Sequence, residues 1–597
     1  MNMNKEKEWT RVRFIVQIIA ILYWLLFQEG CDTYDIPYFL IGILGSAACC
    51  GNIKEKRRFR RNRESRIIVF SSLFFTLMIA SANFYFLGLL VKGKSLFAGF
   101  CACCSVLMIL AGSFFSAWNI LTWLESRIKD FYWESRVYKW PAAGFFFLSL
   151  GIVAVINISV LYIGYYPGRL SGDSFDSVQQ GLRGIYNNHH PFYYTMTIKI
   201  FIDAGLRLFH DINAAVALYS VFQIIFMAAC FSYVVTTQYQ MGIPLKVIMG
   251  CFLWYVMMPF HLMYSFTMWK DIMFSGYVVV FTVSVFRILK NTGNWKWLNQ
   301  LLMLAGSTGM CLYRSNGWFS CLLTFLVFAV LFGETENSRK MRSLFLMVLV
   351  VTFLLRHQVL RFGNVYPVDT IEYLSIPAQQ IARVIKECDD VKEEHRELLG
   401  RIVDVDRLPE VYDIFISDPV KDLVRQKGNQ EYLAEHKAAY LALYVEMGLA
   451  HPGQYLAAWI DQTKGYWNGG YSYWIWLGEL GENELGIKWT VNMEEGKNAV
   501  EEYIWTFVNS PVLRIFVCIG FHLWLTLTVF VMCIVRKDKT GVFLTVPVLS
   551  IIVSILVSTP IYSEFRYAYV VFCCMPFFLT APFYHGNLLS GKSGKIE

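Results

Sequence analysis

The chain carries little charge for its length. Only 16% of its 597 residues are Asp, Glu, Lys or Arg, whereas 56% are hydrophobic. Soluble domains have about 25% charged residues. Apolar runs of about 18 residues or more recur along the chain, and each is long enough to cross the hydrocarbon core of a bilayer. The sequence therefore predicts a polytopic α-helical membrane protein.

Other features are also missing. The first apolar run is not followed by a small-residue cleavage site, so we interpret it as a retained anchor rather than a signal peptide. The fifteen cysteines show neither metal-binding spacing nor a disulfide framework, and most lie in apolar runs as small hydrophobic residues. The net charge of +8 comes from short loops between apolar runs, which indicates membrane topology and no nucleic-acid partner. No internal repeat is visible.

The basic loops predict about fourteen transmembrane helices with both termini in the cytoplasm. The most basic loop, 52–66, is placed inside. Segment 192–208 is apolar but charged, and we interpret it as an interfacial helix, because counting it as a crossing would move the later basic loops outside. The predicted crossings are 12–27, 36–50, 67–91, 97–123, 143–165, 212–236, 246–266, 270–288, 298–312, 316–332, 342–356, 512–534, 541–559 and 567–584.

These crossings divide the chain into four parts. Residues 1–142 form a four-helix N-terminal membrane segment, and 143–356 form a membrane core with an acidic outer loop at 166–191. Residues 357–510 are charged and lack a spanning run, so they are predicted to be a mainly helical soluble domain on the outer face. Residues 511–597 contribute the C-terminal membrane helices and a short cytoplasmic tail.

Polar groups are concentrated on the predicted outer face. Besides the outer loop and the soluble domain, three short turns are charged: Trp269–Asp271, Tyr313–Asn316 and the turn with Glu564 and Arg566. Charged side chains at helix ends also simply extend to lipid headgroups. Several charged turns on one side nevertheless favour a shared site.

The outer loop contains the first candidate for chemistry. Ser171 or Gly172 is expected to cap a short helix that begins at Asp173. The helix dipole would favour the ionised form of Asp173, which suits a base or a ligand for a divalent cation. Asp173 is equally explained as a favourable first-turn residue. Helical spacing places Asp176 or Ser177, and then Gln180, on the same face.

Two other features are open to more than one interpretation. His190 precedes Pro191 and marks the entry to the next helix, either as a functional group or as a polar cap. A zinc site made by His189 and His190 is not expected, because adjacent histidines on a helix entry point in different directions. The aromatic stretch 451–476 suits the bilayer interface, the favoured interpretation, and would also suit stacking on sugar rings.

An acidic outer loop followed by His-Pro and an interfacial helix resembles the C-fold (GT-C) glycosyltransferases, which are integral membrane enzymes. The ordered motifs PGRLSGDS…HHP, WKDIMF, YRSNGW, LSIPAQQIAR, GYW and SEFRY are similar to a bacterial branch of that superfamily. The resemblance covers roughly 143–584, and the first four helices are an addition to the usual core. It implies a bacterial plasma (inner) membrane enzyme. Such an enzyme transfers a sugar from polyprenyl phosphate to an envelope glycan, lipid or protein acceptor on the outer face, with inversion.

The resemblance also implies roles for individual residues. Asp173 matches the catalytic base, and Asp271 matches a second acid that is sometimes near a metal. Because Asp173 and Asp176 are three residues apart rather than adjacent, Asp176 stays an alternative base. A divalent cation, Mg²⁺ or Mn²⁺, held by Asp173 and Asp271 is left open. The expected donor-phosphate ligands are His190, Lys270, Arg314 and Arg566. The expected contacts to acceptor or sugar are Gln180, Asn316, Glu564, Tyr466 and Trp467.

Three other functions compete with this one. A lipid-linked oligosaccharide flippase or transporter fits the many helices, but it would predict polar residues at the bilayer midplane and two similar halves. A polymerase or ligase of the O-antigen type also acts outside on lipid-linked sugars. A non-enzymatic protein that binds the cell envelope is the third.

Overall fold

The computed structural model describes residues 63–82, 96–290, 296–333, 336–362, 365–468, 481–510 and 512–584, and it is mostly helical. The predicted crossings at 12–27 and 36–50 lie outside the described residues. The chain divides into two compact units. Of the described residues, the first unit contains 63–82, 96–132, 464–468, 510 and 512–538, and the second contains the rest.

The first unit contains three long helices, α1 (Arg63–Ala82), α2 (Leu96–Ile128) and a later helix, Ile519–Arg536, which follows a 3₁₀ turn at Leu513–Val517. Apolar side chains from all three form one buried cluster: Ile68, Phe75, Leu121, Val531, Met532 and Val535. This cluster joins the N-terminal helices to a C-terminal one.

The second unit begins with the elements that surround the acidic loop. These are α3 (Ala142–Gly164), α4 (Gly172–Arg183), β1 (Tyr186–Asn187), α5 (Phe192–Phe209) and α6 (Ile212–Gln240). The next helices are α7 (Leu245–Met257), α8 (Pro259–Ser265), α9 (Lys270–Leu289), α10 (Lys296–Leu312), α11 (Gly317–Leu331) and α12 (Glu336–Phe362). β1 pairs in parallel with β2 (Val365–Tyr366). This pairing connects the acidic loop to the segment that follows α12.

The remaining helices of the second unit are mostly short. After a 3₁₀ turn at Thr370–Leu374 they are α13 (Ser375–Glu387), α14 (Glu393–Gly400), α15 (Leu408–Val411), α16 (Asp418–Lys427), α17 (Gln430–Glu435), α18 (Lys437–Ala450), α19 (Pro452–Trp467, whose last turn belongs to the first unit) and α20 (Glu494–Asn509). The helix Ile519–Arg536 of the first unit is α21, and α22 (Lys539–Ser558), α23 (Phe565–Phe578) and a 3₁₀ turn at Ala581–Phe583 end the described chain.

Eight described helices are long and apolar enough to cross a membrane, so the chain is a helical membrane protein. They are α1, α3, α6, α9, α12, α21, α22 and the segment Phe565–Phe583 that begins with α23. The other six predicted crossings fall on α2, on the pair α7–α8, on α10, on the short apolar α11, and on 12–27 and 36–50. The predicted interfacial segment 192–208 forms α5, which is not among the eight.

The predicted single helix 246–266 is instead two helices, with a bend of 54° between α7 and α8. Pro259 is the cause, because its ring removes a backbone donor and disfavours the helical conformation of the residue before it. Met258 accordingly has an extended backbone, with φ −64° and ψ 128°.

Within the predicted soluble domain 357–510, the described helices include no candidate crossing after α12. Helices α13 to α19 share a buried core of Ile371, Ala382, Val384, Ile385, Val391, Leu399, Ile402, Val403, Leu408, Tyr412, Val420, Leu423, Val424, Leu433, Tyr440, Leu443, Met447 and Tyr455. The segment 481–510 packs elsewhere. Its Thr490 pairs with Tyr166 of the acidic loop, and α20 packs on α3.

Candidate functional site

The acidic loop is fixed to the turn that precedes α9. Ser171 is the N-cap of α4, as predicted, and its backbone N donates to Ser174 Oγ at 2.7 Å. The helix begins at Gly172, one residue before Asp173. Trp269 Nε1 donates to Ser171 Oγ at 2.6 Å. The N-terminus of α4 is therefore held directly beside Trp269 and Lys270.

A backbone bridge strengthens this junction. Arg169 N donates to Phe266 O at 3.0 Å, and Met268 N donates to Arg169 O at 2.9 Å. The preceding Gly168 has a φ of +147°, and a Cβ there would lie 2.1 Å from Ser220 Oγ. Glycine is favoured at this position, because another residue would be strained at this φ and its Cβ would displace the Ser220 hydroxyl.

The carboxylate of Asp173 contacts the turn between α22 and α23. Its Oδ2 lies 2.8 Å from Arg566 Nη1. The Asp173 side chain is 39% exposed, whereas that of Arg566 is 13% exposed. The Arg566 guanidinium lies 4.9 Å from the Trp269 ring centroid and 5.3 Å from that of Tyr567. The two rings restrain the cation, while the carboxylate keeps a side open to solvent.

Asp173 is ionised in this environment. Burial acts to raise its pKa, but the charges of Arg566 and Lys270 outweigh burial and hold the pKa below its ordinary value. An ionised carboxylate accepts hydrogen bonds and protons, so Asp173 can orient an acceptor hydroxyl.

His190 is held between a lysine and a second aspartate. Lys270 Nζ lies 3.0 Å from His190 Nδ1, and Asp176 Oδ2 lies 3.6 Å from His190 Nε2. Burial, together with the charge of Lys270, lowers the pKa of His190 to about 2, so the ring is neutral. A lysine ammonium only donates, so Nδ1 accepts and the ring proton lies on Nε2, facing Asp176.

Asp176 is bound to its own helix and to the following strand. Gln180 Nε2 donates to Asp176 Oδ2 at 2.6 Å, and Asn187 N donates to Gln180 Oε1 at 3.0 Å. The same oxygen of Asp176 faces His190, so this carboxylate orients other protein groups. Asp173 is the better candidate for contact with a substrate.

Asp271 and Arg314 form a second, buried ion pair. Asp271 Oδ1 lies 3.0 Å from Arg314 Nη1, and both side chains are buried. This is a charge contact, because neither Asp271 oxygen accepts a well-directed hydrogen bond from a described residue. Arg314 Nη1 also donates to Tyr567 O at 3.2 Å, and the guanidinium lies 4.6 Å from the Tyr567 ring centroid.

The structure therefore brings together most of the predicted site residues. One series of contacts joins Gln180, Asp176, His190 and Lys270. A second joins Asp173, Arg566 and Glu564, in which Glu564 Oε1 lies 3.5 Å from Arg566 Nε. Trp269 and Tyr567 connect the cationic side chains and were not predicted as site residues. Their position directly beside Lys270 and Arg566 in the sequence is the signal that could have identified them.

Three predicted contact residues lie outside this cluster. Asn316 is the N-cap residue of α11, and its Nδ2 donates to Ser554 Oγ of α22 at 2.6 Å. Tyr466 and Trp467 are buried and belong to the first unit. Their predicted role as sugar contacts stays a prediction.

The cluster does not fit the divalent cation that was left open. Asp173 and Asp271 are each paired with an arginine. Among the described residues, neither belongs to a group of three potential ligands close enough to share a metal ion.

Residues 183–587 match a family described as a family of unknown function (DUF6020). This match covers more than half of the chain, and the chain belongs to that family. No curated protein and no solved structure matches the sequence. The matched range includes His190, Lys270, Asp271, Arg314 and Arg566, and it begins at the last residue of α4.

Proposed function

We propose that this member of the DUF6020 family is an inverting glycosyltransferase of the GT-C type. Its donor is a sugar on polyprenyl phosphate, and its acceptor is a glycan, lipid or protein of the bacterial envelope. One observation carries the proposal: the partly exposed, ionised Asp173 lies 2.8 Å from Arg566 and beside the Lys270–His190 pair. The reaction needs a base on the acceptor side of C1 and phosphate-binding cations on the side of the leaving group, within one site.

The reaction follows from this arrangement. The acceptor oxygen attacks C1 of the sugar while the bond from C1 to the phosphate oxygen breaks. The electron pair of that bond goes to the phosphate, and Arg566 and Lys270 stabilise the charge that develops there. The acceptor proton goes to Asp173. The products are the glycosylated acceptor and polyprenyl phosphate.

The low pKa of Asp173 has a consequence for this reaction. A weak base takes a proton efficiently only when the acceptor oxygen has already become acidic, which happens as its bond to C1 forms. An incoming phosphate also shares the charge of Arg566, and this brings the pKa of Asp173 back toward its ordinary value. Asp173 would thus be a stronger base when donor is bound.

The proposed topology is fourteen crossings in the bacterial plasma membrane with both termini in the cytoplasm. The acidic loop, the turns before α9 and α11, the turn before α23 and the helices α13 to α18 would then lie outside. This side suits a donor whose lipid stays in the membrane while its sugar reaches the outer surface.

The test is a transfer assay with purified protein, a radiolabelled lipid-linked sugar and an envelope fraction as acceptor. We expect Asp173→Asn to lower the rate by about 10²–10⁴-fold, the usual contribution of a positioned base. Asp203→Asn is the matched control, since Asp203 is 37% exposed and pairs with Lys199 at 2.9 Å on α5. Asp203→Asn should retain activity.

Two results would contradict the proposal. If Asp173→Asn is folded, inserted and fully active, Asp173 is not the base. If the wild-type protein moves the lipid-linked sugar across a vesicle membrane without consuming it, the chain is a flippase. Analysis of the product distinguishes transfer of one sugar from polymerisation or ligation of whole glycans.

A further inference from the structure

A second group of reactive side chains lies among helices α13 to α19, away from the cluster around Asp173. Cys388 is the C-cap residue of α13, Asp390 follows two residues later, and His451 lies between α18 and α19. One potential ligand atom from each residue lies within 4.8 Å of the other two. His451 Nδ1 is 4.0 Å from Asp390 Oδ1.

The histidine of this group is held in place by its backbone. His451 N donates to Met447 O at 2.8 Å, and Tyr455 N donates to His451 O at 3.2 Å. The side chain is 10% exposed, and among the described residues neither ring nitrogen makes a hydrogen bond. A ring nitrogen beside a thiol and a carboxylate is therefore open to a ligand that all three side chains share.

The three donors match one class of ligand. A thiolate, an imidazole and a carboxylate together are typical of zinc sites, whereas Mg²⁺ and Ca²⁺ prefer oxygen alone. Bond lengths of about 2.0–2.3 Å place tetrahedral donors about 3.3–3.8 Å apart. The separation of 4.0 Å between His451 and Asp390 therefore has to close by about half an ångström or slightly more. The two separations that involve Cys388 are at most 4.8 Å and have to close as well. Asp390 is 82% exposed and free to rotate by that amount.

We propose that Cys388, Asp390 and His451 bind a Zn²⁺ ion, with water in the fourth position. On binding, the Cys388 thiol loses its proton to solvent, and the ion bonds to the thiolate sulfur, an imidazole nitrogen and a carboxylate oxygen. The site would connect the end of α13 to the corner between α18 and α19. It is independent of the function proposed for the cluster around Asp173.

The local charges favour a cation. Asp390, Glu387 and Asp389 lie close enough to Cys388 to interact with it electrostatically. The same acidic neighbours attract Zn²⁺.

A neighbouring group provides an internal control. Glu394, His395 and Glu446 also have ligand atoms within 4.8 Å of one another. There a lysine already supplies the positive charge, since Lys392 Nζ lies 3.3 Å from Glu446 and 3.4 Å from Glu394. This group has no thiolate, and we expect it to bind no zinc.

The experiment uses the full chain purified in detergent, stripped of metal and then loaded with Zn²⁺ or Co²⁺. We expect one Zn²⁺ per chain by elemental analysis, and a near-ultraviolet sulfur-to-cobalt charge-transfer band with Co²⁺. Cys388→Ser and His451→Gln should each weaken binding by more than about tenfold, the minimum cost of losing even an outer partner of a metal ligand. His395→Gln should bind as the wild type does.

Each contrary result overturns the proposal. If the wild-type chain takes up no metal, the group is only a histidine–carboxylate contact. If Cys388→Ser, shown by circular dichroism to be folded, keeps full affinity, or if Co²⁺ gives no charge-transfer band, the thiolate is not a ligand. If His395→Gln loses the metal, the ion binds at the neighbouring group.

Discussion

Arg566 would have two roles in the proposed reaction, as the partner of the proposed base and as a ligand of the donor phosphate. Its Nη1 neutralises Asp173 at 2.8 Å, and its guanidinium is restrained over Trp269. The planar fork of arginine matches a phosphate. Competition between a carboxylate and a phosphate for one guanidinium links donor binding to the strength of the base.

This link predicts the pH dependence of transfer. In the proposed reaction Asp173 has to be ionised, and its pKa is held below the ordinary value of 3.8, so the wild-type protein should lose transfer activity only in strong acid. Arg566→Met removes the positive charge that lowers the pKa of Asp173. Burial of Asp173 acts in the opposite direction, so the pKa of Asp173 should rise. We expect the acidic limb of log kcat/KM against pH to move to higher pH.

The control for this measurement is Arg207→Met, which removes a charge from an exposed position near the end of α5. It should leave the pH profile unchanged. A profile that keeps its acidic limb in Arg566→Met would show that the titrating group is not Asp173, even if the overall rate falls.

The sequence favoured Asp173 over Asp176 only through the resemblance, because Asp173 follows PGRLSG at the family's spacing. Helical spacing alone places both carboxylates near Gln180 and does not separate them. The difference lies in their partners, since Asp176 is engaged by Gln180 and His190 whereas Asp173 faces Arg566, 393 residues away. Local spacing determines which side chains share a helix face. It does not determine which distant side chain faces them.

At the scale of elements, the chain breaks between α7 and α8, and the backbone at the end of α8 then leads to Lys270 at the start of α9. Gln223 of α6 stabilises this backbone. Its Nε2 donates to Tyr264 O at 3.2 Å, Ser265 O at 3.0 Å and Thr267 O at 2.7 Å. These carbonyls lie where α8 ends. Tyr264 O and Thr267 O also accept from the backbone N of Thr267 and Trp269, so it is Ser265 O that would lack a donor without Gln223.

Gln223→Leu should therefore loosen the turn before α9. Leucine fills a similar volume but donates nothing, and a buried carbonyl without its partner costs about 1–3 kcal/mol. We expect a lower thermal-unfolding midpoint and a higher KM for the lipid-linked donor. Gln179→Leu, which removes an exposed contact to Glu484, should change neither. Unaltered stability and KM in Gln223→Leu would show that the turn holds without this side chain.

For the motif LSIPAQQIAR the sequence indicates a helix but not the partners of its polar side chains. Its amphipathic pattern predicts a helix, and α13 confirms it, but the sequence assigned no role to its polar residues. In the structure Gln379 donates to Asp413 O, Gln380 donates to Tyr455 O, and Arg383 pairs with Asp461 at 2.7 Å. Each partner lies more than thirty residues away, so the motif supports the core of α13 to α19 through contacts that no local pattern contains.

At the scale of the whole molecule, the predicted side of each loop comes from its lysines and arginines. The number of lysines and arginines in each short loop predicts the side of the membrane on which that loop lies, and this number can be counted in the sequence. Contacts between distant segments cannot be counted in this way. The bend at Pro259 and the association of residues 481–510 with the acidic loop therefore became visible only in the fold.

Sidedness can be measured with single cysteines and a maleimide that does not cross membranes. Glu484 is exposed beside Arg183 of the acidic loop, so Glu484→Cys should be labelled in intact cells. Lys539 is exposed at the start of α22 in a loop placed in the cytoplasm, so Lys539→Cys should be labelled only after permeabilisation. Nine native cysteines are buried or half-buried: Cys230, Cys251, Cys311, Cys321, Cys388, Cys518, Cys533, Cys573 and Cys574. Labelling of the wild-type protein gives the background from all native cysteines.

Labelling at Glu484 and Lys539 tests whether the acidic loop faces outward, which the proposed function requires. A base at Asp173 can act on envelope acceptors only if the acidic loop faces outward, and Glu484 reports on that loop through its 3.1 Å contact with Arg183. An inverted pattern, with Lys539→Cys labelled in intact cells and Glu484→Cys protected, would place the cluster in the cytoplasm. The cations around Asp173 would then face soluble nucleotide sugars rather than lipid-linked donors at the outer surface.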